Sequence, residues 1–152
     1  VRRIAVTNTL FFSDYRWHFW ARVWRTPSLG ELSVLLMNRW LFGWELRRGS
    51  PTLSQEHILR SYGHVSPSMQ RMVLRLYRAT NPENYRGWEE RLLDLTGRIP
   101  TLVLWGDRDP YIPIEFADRF GTRQIEHFPD SGHWLPVEAP VKVSERLSRF
   151  FT

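Results

Sequence analysis

The spacing of apolar and polar positions divides the chain into three parts. Residues 3–8 are a short run rich in β-branched side chains, as in a buried strand. Residues 14–97 place apolar side chains at helical spacing, whereas residues 98–152 return to strand, helix, strand and helix. This order predicts an α/β fold that carries one large helical insertion.

Helix-start signals subdivide the insertion. Ser28 with Glu31 predicts a capping box ahead of an apolar stripe, and Ser54 predicts the N-cap of a short helix. Ser66-Pro67 predicts another helix start, with proline at the first helical position. Asn81-Pro82 is expected to open the last helix of the insertion.

The C-terminal part predicts two strands and two helices. Residues 101–105 are fully apolar and end at a glycine, which is typical of a strand buried on both faces. Residues 124–128 alternate like a strand. Helices are expected over residues 114–120 and 141–151.

Composition narrows the class of protein. A hydrophobic fraction of 42% with 14% aromatic residues is ample for a packed core. The net charge is +5, but every basic residue except Lys142 is arginine and these are scattered, so no nucleic-acid partner is expected. No apolar run is long enough for a membrane span, and no signal peptide is recognisable. Cytoplasm is therefore the default location.

Two aspartates follow the apolar strand. Asp107 and Asp109 lie in the segment Trp-Gly-Asp-Arg-Asp-Pro-Tyr-Ile-Pro, residues 105–113. Loops at the carboxyl ends of parallel strands carry the functional groups of α/β proteins. Asp and Pro also form ordinary turns, so this segment alone leaves open that Asp107 only caps backbone N–H groups.

A histidine in the next loop favours the functional interpretation. His133 lies between Gly132 and Trp134, after the second predicted strand. A general base needs such a placement, together with a carboxylate that fixes its tautomer and stabilises the imidazolium. A lone loop histidine is usually a solvated residue, but here an aspartate precedes it and each follows its own strand.

This order and spacing resemble the α/β-hydrolase superfamily, in which the nucleophile comes first, then the acid, then the histidine. Residues 104–113 look like the acid-bearing turn after the seventh strand, and residues 132–140 look like the histidine loop after the eighth. The resemblance implies that Asp109 is the triad acid, that Asp107 supports it locally, and that His133 is the base.

Residues upstream are similar to the haloalkane dehalogenase and epoxide hydrolase-like branch. Residues 19–32 and 76–82 resemble cap helices of that branch. The resemblance implies a partial α/β-hydrolase fold: a sixth-strand segment over residues 1–13, a helical cap over 14–97, and the C-terminal part of the hydrolase core over 98–152.

The resemblance also implies a small apolar organic substrate and no cofactor. Tryptophans of the cap are candidates for binding it, although large aromatic side chains more often pack in a core. The candidates for lining the substrate site are Trp20, Trp24 and Trp134, with Trp40 and Trp44 as further candidates for substrate or halide binding.

The nucleophile of the family is missing from the sequence. It sits in Gly-x-Ser-x-Gly or Gly-x-Asp-x-Gly, and neither pattern occurs. The segment from Gly63 to Ser66 does not fit, because no strand precedes it and Pro67 follows. The chain is therefore expected to be an enzyme part without its nucleophile, inactive when isolated. Its expected partner is a missing N-terminal half or a second copy.

Two alternatives stay open. In the first, the complete protein is a hydrolase that uses either a serine or an aspartate nucleophile. In the second, the chain is a truncated or split, inactive domain that binds a ligand or partner.

A metal site is not expected, because the remaining histidines show no metal-binding spacing: His18, His57, His64 and His127.

Overall fold

The computed structural model describes residues 1–152. Six α-helices lie between the first two strands, and two follow the third. The strands are β1 (Ile4–Thr7), β2 (Thr101–Gly106) and β3 (Ile125–Phe128). The helices are α1 (Phe19–Arg25), α2 (Leu29–Leu35), α3 (Arg39–Gly49), α4 (Gln55–Gly63), α5 (Pro67–Ala79), α6 (Trp88–Arg98), α7 (Leu135–Glu138) and α8 (Pro140–Phe151).

The three strands form one parallel sheet in the order β1, β2, β3. Ile4 is in register with Thr101, and Val103 is in register with Ile125. Parallel neighbours need crossover connections, and the long helical segment between β1 and β2 supplies the first one. The predicted α/β class with its helical insertion is confirmed.

The central strand β2 is buried along its whole length. Val103 and Trp105 belong to a cluster that includes Phe12 and Phe120. The intervening Leu102 and Leu104 face a second cluster under α7 and α8. Successive side chains of a strand point to opposite faces, so the apolar run of β2 supplies two cores.

The N-caps of two predicted helices are confirmed. The Ser54 hydroxyl accepts a hydrogen bond from the His57 N–H, and the Ser66 hydroxyl accepts one from the Met69 N–H. Pro67 occupies the first turn of α5, where its missing N–H costs nothing.

The capping box at Ser28 is wrong. Ser28 has a φ of 65° and makes no side-chain cap bond, whereas Glu31 pairs with the guanidinium of Arg78 on α5. Glu31 therefore forms an ion pair with another helix instead of the predicted hydrogen bond at the start of α2. The segment after Asn81 also differs, because residues 82–85 form a short 3-10 helix and α6 begins only at Trp88. Residues 114–120 are likewise 3-10 rather than α-helical.

The carboxyl ends of all three strands meet at one edge of the sheet. Asn8 follows β1, residues 107–113 follow β2, and residues 129–134 follow β3. Loops that leave this edge are close in space even where they are far apart in sequence. None of the helices combines the length and apolarity needed to cross a membrane.

Candidate active site

Asp109 lies at the carboxyl end of β2 with a side chain that is 1% exposed. Its Oδ1 accepts hydrogen bonds from the backbone N–H groups of Tyr111 and Ile112, at 2.8 and 3.1 Å. Its Oδ2 accepts from Asn8 Nδ2 at 2.9 Å and faces His133 Nδ1 at 2.7 Å. Four donors therefore satisfy a carboxylate that is removed from solvent.

Asn8 was not recognised from the sequence. Its side chain bridges the ends of two strands, since Nδ2 donates to the Gly106 carbonyl and Oδ1 accepts from the Gly106 N–H. The same Nδ2 reaches Asp109. Asn8 has a φ of 31°, in the region that asparagine tolerates better than most residues. A polar residue directly after a short β-branched strand was the available signal.

His133 presents one ring nitrogen to Asp109 and leaves the other free. Because the carboxylate acts as acceptor, Nδ1 carries the proton and Nε2 keeps its lone pair. Nε2 makes no hydrogen bond with the protein. The rings of Tyr111 and Trp134 pack edge-on against the imidazole, each with a centroid distance of 5.0 Å. The contact predicted between Asp109 and His133 is present in the structure.

Asp107 does not contact Asp109. Its carboxylate lies 2.7 Å from His127 Nδ1, and this pair is partly exposed at the end of β3. The backbone N–H of Asp107 donates to the Phe128 carbonyl. The turn directs the two aspartates towards different neighbours. Asp109 is therefore supported by Asn8 and by backbone N–H groups, and not by Asp107 as expected.

The histidine loop is hydrogen-bonded to the C-terminal end of helix α3. The His133 N–H donates to the Gly49 carbonyl at 2.7 Å, and the Trp134 N–H donates to Ser50 Oγ at 2.9 Å. Ser50 is fully buried. Nothing in the local sequence around Gly49 and Ser50 indicates these partners, which lie more than eighty residues later in the chain.

A cavity of about 580 Å³ lies beside His133 and under the helices. Most of its lining residues are hydrophobic, which is usual for a pocket that binds a small organic molecule. Trp20, Trp24 and Trp134 line it. Trp40 and Trp44 are instead exposed on the outer surface of α3, at 74% and 58%, so they neither line this cavity nor pack in the core.

His18 and Tyr77 are among the residues lining the cavity whose hydrogen-bond donors have no protein acceptor. Nδ1 of His18 accepts the Ala21 N–H at the start of α1, so the proton of the neutral ring lies on Nε2. Burial, with a smaller contribution from His133, lowers the pKa of His18 to about 4. The Tyr77 hydroxyl, whose pKa burial raises, has no protein partner either.

A partly buried ionic contact borders the same cavity. Glu45 on α3 pairs with Arg48 and accepts the Tyr111 hydroxyl at 2.8 Å. Burial opposes ionisation of Glu45, but the hydrogen bonds from Arg48 and Tyr111 outweigh it and lower its pKa. The same environment, burial first and the Glu45 bond second, raises the pKa of Tyr111. No three His, Asp or Glu side chains converge as a metal-binding group.

No protein-family model matches the chain. A segment of 59 residues, 39% of the chain, is 30% identical to the dihydrolipoyllysine-residue acetyltransferase component of the acetoin cleaving system of Pseudomonas putida. Among solved structures, a loop variant (DbeA-M1) of a haloalkane dehalogenase from Bradyrhizobium elkanii matches with a TM-score of 0.69 and 19% identity, over 99% of the chain. Est816, an N-acyl homoserine lactone degrading enzyme, matches over 86% of this chain and 53% of its own, with 17% identity and a TM-score of 0.41.

The chain spans 58% of the dehalogenase chain and 16% of the acetyltransferase component. The dehalogenase matches the sheet, the intervening helices and the terminal helix together, since nearly the whole chain is covered. The chain therefore has a partial α/β-hydrolase fold like that of a haloalkane dehalogenase.

Proposed function

We propose that the chain supplies the acid and the base of a hydrolase of the α/β-hydrolase superfamily. Asp109 is the acid and His133 the base in this proposal. The observation that carries it is the 2.7 Å contact between a 1% exposed carboxylate and Nδ1 of a histidine at the cavity wall. A solvated loop histidine is not expected to contact a buried carboxylate in this geometry.

The arrangement suits proton transfer by Nε2. Asp109 holds the proton on Nδ1, so the lone pair of Nε2 is available to a hydroxyl or a water in the cavity. When Nε2 takes a proton, the ring becomes an imidazolium, and the adjacent carboxylate stabilises it. Four donors fix Asp109, so the carboxylate does not have to reorganise when that charge forms.

The nucleophile in this proposal lies outside these 152 residues. Two facts support this: the sequence has no nucleophile elbow, and no side chain donates to Nε2 of His133. With a serine, His133 would remove the hydroxyl proton during attack on an ester. With an aspartate, attack would form an ester on the enzyme, and His133 would deprotonate the water that cleaves it. The missing part would come from an N-terminal half or from a second copy.

The cavity supports a small, largely apolar organic substrate. Trp20, Trp24 and Trp134 would contact its hydrocarbon part. His18 Nε2–H and the Tyr77 hydroxyl would donate to a halogen, epoxide oxygen or carbonyl oxygen, because both lack protein acceptors. The haloalkane, epoxide and ester classes all present such an acceptor atom.

A binding function without turnover is the second candidate. The absence of an elbow pattern from the sequence favours it, since the apolar cavity could still hold a ligand. In that case the complete protein would bind a ligand in this cavity, and replacement of His133 would abolish no turnover.

The test uses the protein encoded by the complete reading frame that contains this chain. Halide release, diol formation and p-nitrophenol release would measure the three reactions, with His133→Gln and Asp109→Asn as variants. Both variants should lose turnover, with Asp109→Asn slower by about 10⁴-fold, as for a triad whose histidine adopts the wrong tautomer. Ligand binding without turnover on all three substrates would favour the binding module.

Mass spectrometry of His133→Gln separates the two nucleophiles. With an aspartate nucleophile the first step survives, so substrate should remain attached as an ester and add its mass to the protein. With a serine nucleophile the first step itself needs His133, so no adduct should accumulate.

A further inference from the structure

We propose that the C-terminal end of cap helix α3, Gly49 and Ser50 with Glu45, positions His133 and Asp109, so that the cap orients the proton-transfer pair as well as covering the cavity. The functional meaning of this inference rests on the proposed role of His133 as a base. The positioning itself can be measured without turnover.

Two consecutive residues of the histidine loop donate their backbone N–H groups to the C-terminal end of this helix. The Gly49 carbonyl accepts the His133 N–H, and Ser50 Oγ accepts the Trp134 N–H. Hydrogen bonds on both residues fix the backbone from which the imidazole projects. An error of about 1 Å in such a placement can cost about 100-fold in rate.

Glycines permit this close approach. A Cβ on Gly132 would overlap the Gly49 carbonyl oxygen, and a Cβ on Gly49 would lie 2.7 Å from the rings of Tyr111 and Trp134. A side chain at either position would push the helix end away from the loop. The two absent side chains therefore make room for the hydrogen bond to His133.

Glu45 reaches the pair from the other side, through Tyr111. The Tyr111 hydroxyl donates to Glu45, its N–H donates to Asp109 Oδ1, and its ring packs edge-on against His133. Arg48 pairs with Glu45 and its guanidinium lies 5.2 Å from the Tyr111 ring centroid. One helix thus holds the backbone of the base and the tyrosine that touches both members of the pair.

A surface contact continues the same attachment. The Thr52 hydroxyl donates to Glu138 Oε2 at 2.7 Å, and Glu138 Oε1 accepts the Gly132 N–H at 2.8 Å. The segment 45–52 therefore contacts the histidine loop at its start and its end. Displacement of α3 would withdraw acceptors from His133 and Trp134 together.

The test is nuclear magnetic resonance of the 152-residue chain labelled with ¹⁵N at histidine and backbone. The His133 Nδ1–H signal reports the bond to Asp109, and amide exchange reports the loop. Ser50→Ala should speed exchange of the Trp134 and His133 amides about tenfold, because a hydrogen-bond acceptor is lost. It should also speed exchange of the Nδ1 proton. Ser33→Ala is the matched control, since its hydroxyl bonds only the Gly30 carbonyl within α2.

Tyr111→Phe provides a second variant if Ser50→Ala does not fold. It keeps the ring against His133 and removes the bond to Glu45, so it should speed Nδ1–H exchange while the Trp134 amide stays protected. If exchange in both variants matched wild type after correction for global stability, the positioning role would be overturned. Failure of the proposed function would give a different result. His133→Gln would then cause no loss of turnover in the complete protein, but these exchange effects would persist.

Discussion

Asn8 Nδ2 lies 2.9 Å from Asp109 Oδ2, the same carboxylate oxygen that faces His133 Nδ1. Asn8 is also tied to both the N–H and the C=O of Gly106, so it cannot rotate without breaking the junction between β1 and β2. The orientation of Asp109 is therefore fixed by a residue about a hundred positions earlier in the chain, as well as by its own turn.

Replacing Asn8 with aspartate should destabilise the chain by about 3 kcal/mol at neutral pH. The variant keeps the shape and tolerates the same φ, but it puts a second carboxylate beside Asp109 and removes a donor. Repulsion from the neighbouring carboxylate raises the pKa of the introduced carboxyl group in the folded state. The folded variant then binds more protons than the unfolded chain, so its deficit should shrink as the pH falls.

Urea unfolding of Asn8→Asp from pH 7 to pH 4 measures this effect. Asn84→Asp is the control, because Asn84 is exposed in a 3-10 helix and gains no charged neighbour of this kind. A deficit that is independent of pH would mean that Asn8 contributes shape alone.

Sequence patterns that depend on local chemistry predicted the fold well. The apolar run of β2 identified the central strand because burial on both faces removes polar positions. Asp109 and His133 could be singled out because each follows its own strand. Parallel strands bring such positions to one edge, whatever the length of the crossover.

Contacts made across the chain could not be predicted in this way. The sequence predicted a capping box between Ser28 and Glu31, but the Glu31 carboxylate accepts hydrogen bonds from Arg78 on another helix. Asn8 and Glu45 contact residues that are remote in sequence, and the local sequence around them does not indicate which residues those are. Nothing in the local sequence distinguishes Glu45 from an ordinary helix residue.

Gly132→Ala should destabilise the chain by several kcal/mol, because its Cβ would meet the Gly49 carbonyl, which is backbone and cannot swing aside. Gly97→Ala is the matched control. Gly97 lies inside α6, with nothing within 4 Å of its missing Cβ, so alanine should stabilise by about 0.5–1 kcal/mol. Thermal unfolding would compare them. Equal melting temperatures for the two variants would contradict the close packing of the histidine loop.

Acid should destabilise the chain through His18. The pKa of this residue is about 4 in the folded chain, chiefly because of burial, against 6.5 for an unperturbed histidine. Between these values the unfolded chain binds the proton and the folded chain does not. The contribution of the neutral ring is therefore complete above pH 6.5 and is lost progressively as the pH falls towards 4.

His18→Asn should flatten the stability profile between pH 6.5 and pH 4, because asparagine can still cap α1 but does not titrate. Denaturant midpoints over this range are the measurement. His64→Asn, at an exposed histidine, should leave the profile unchanged. An unaltered acid loss in His18→Asn would assign the effect to other groups.

The isolated chain should show no dehalogenase, epoxide hydrolase or esterase turnover. An Asp-His pair without a nucleophile has no covalent route. Ser66, the serine nearest to an elbow-like pattern in the sequence, caps α5 with its hydroxyl. Turnover by a purified chain of confirmed mass, if abolished by His133→Ala, would mean that the nucleophile lies within these residues.

The 152-residue chain should self-associate through β1. The outer edge of β1 has no strand partner, and such an edge is a template for pairing with another strand. Exposed apolar side chains on α2 and α3 and between them add to this tendency, since exposed patches favour association. They include Leu35, Leu36, Trp40 and Trp44. Sedimentation velocity over a range of concentrations should show oligomers that grow with concentration.

A proline on the free edge tests whether β1 is the contact. The Ile4 N–H donates to the Pro100 carbonyl, towards β2, so the N–H of Ala5 points to the open side. Ala5→Pro removes that outer donor without removing a bond of the existing sheet, and it should shift the chain towards monomer. Ala5→Ser keeps the N–H and should associate like wild type. Equal association of all three chains would move the contact from the strand edge to the exposed helices, and a compact wild-type monomer would refute self-association altogether.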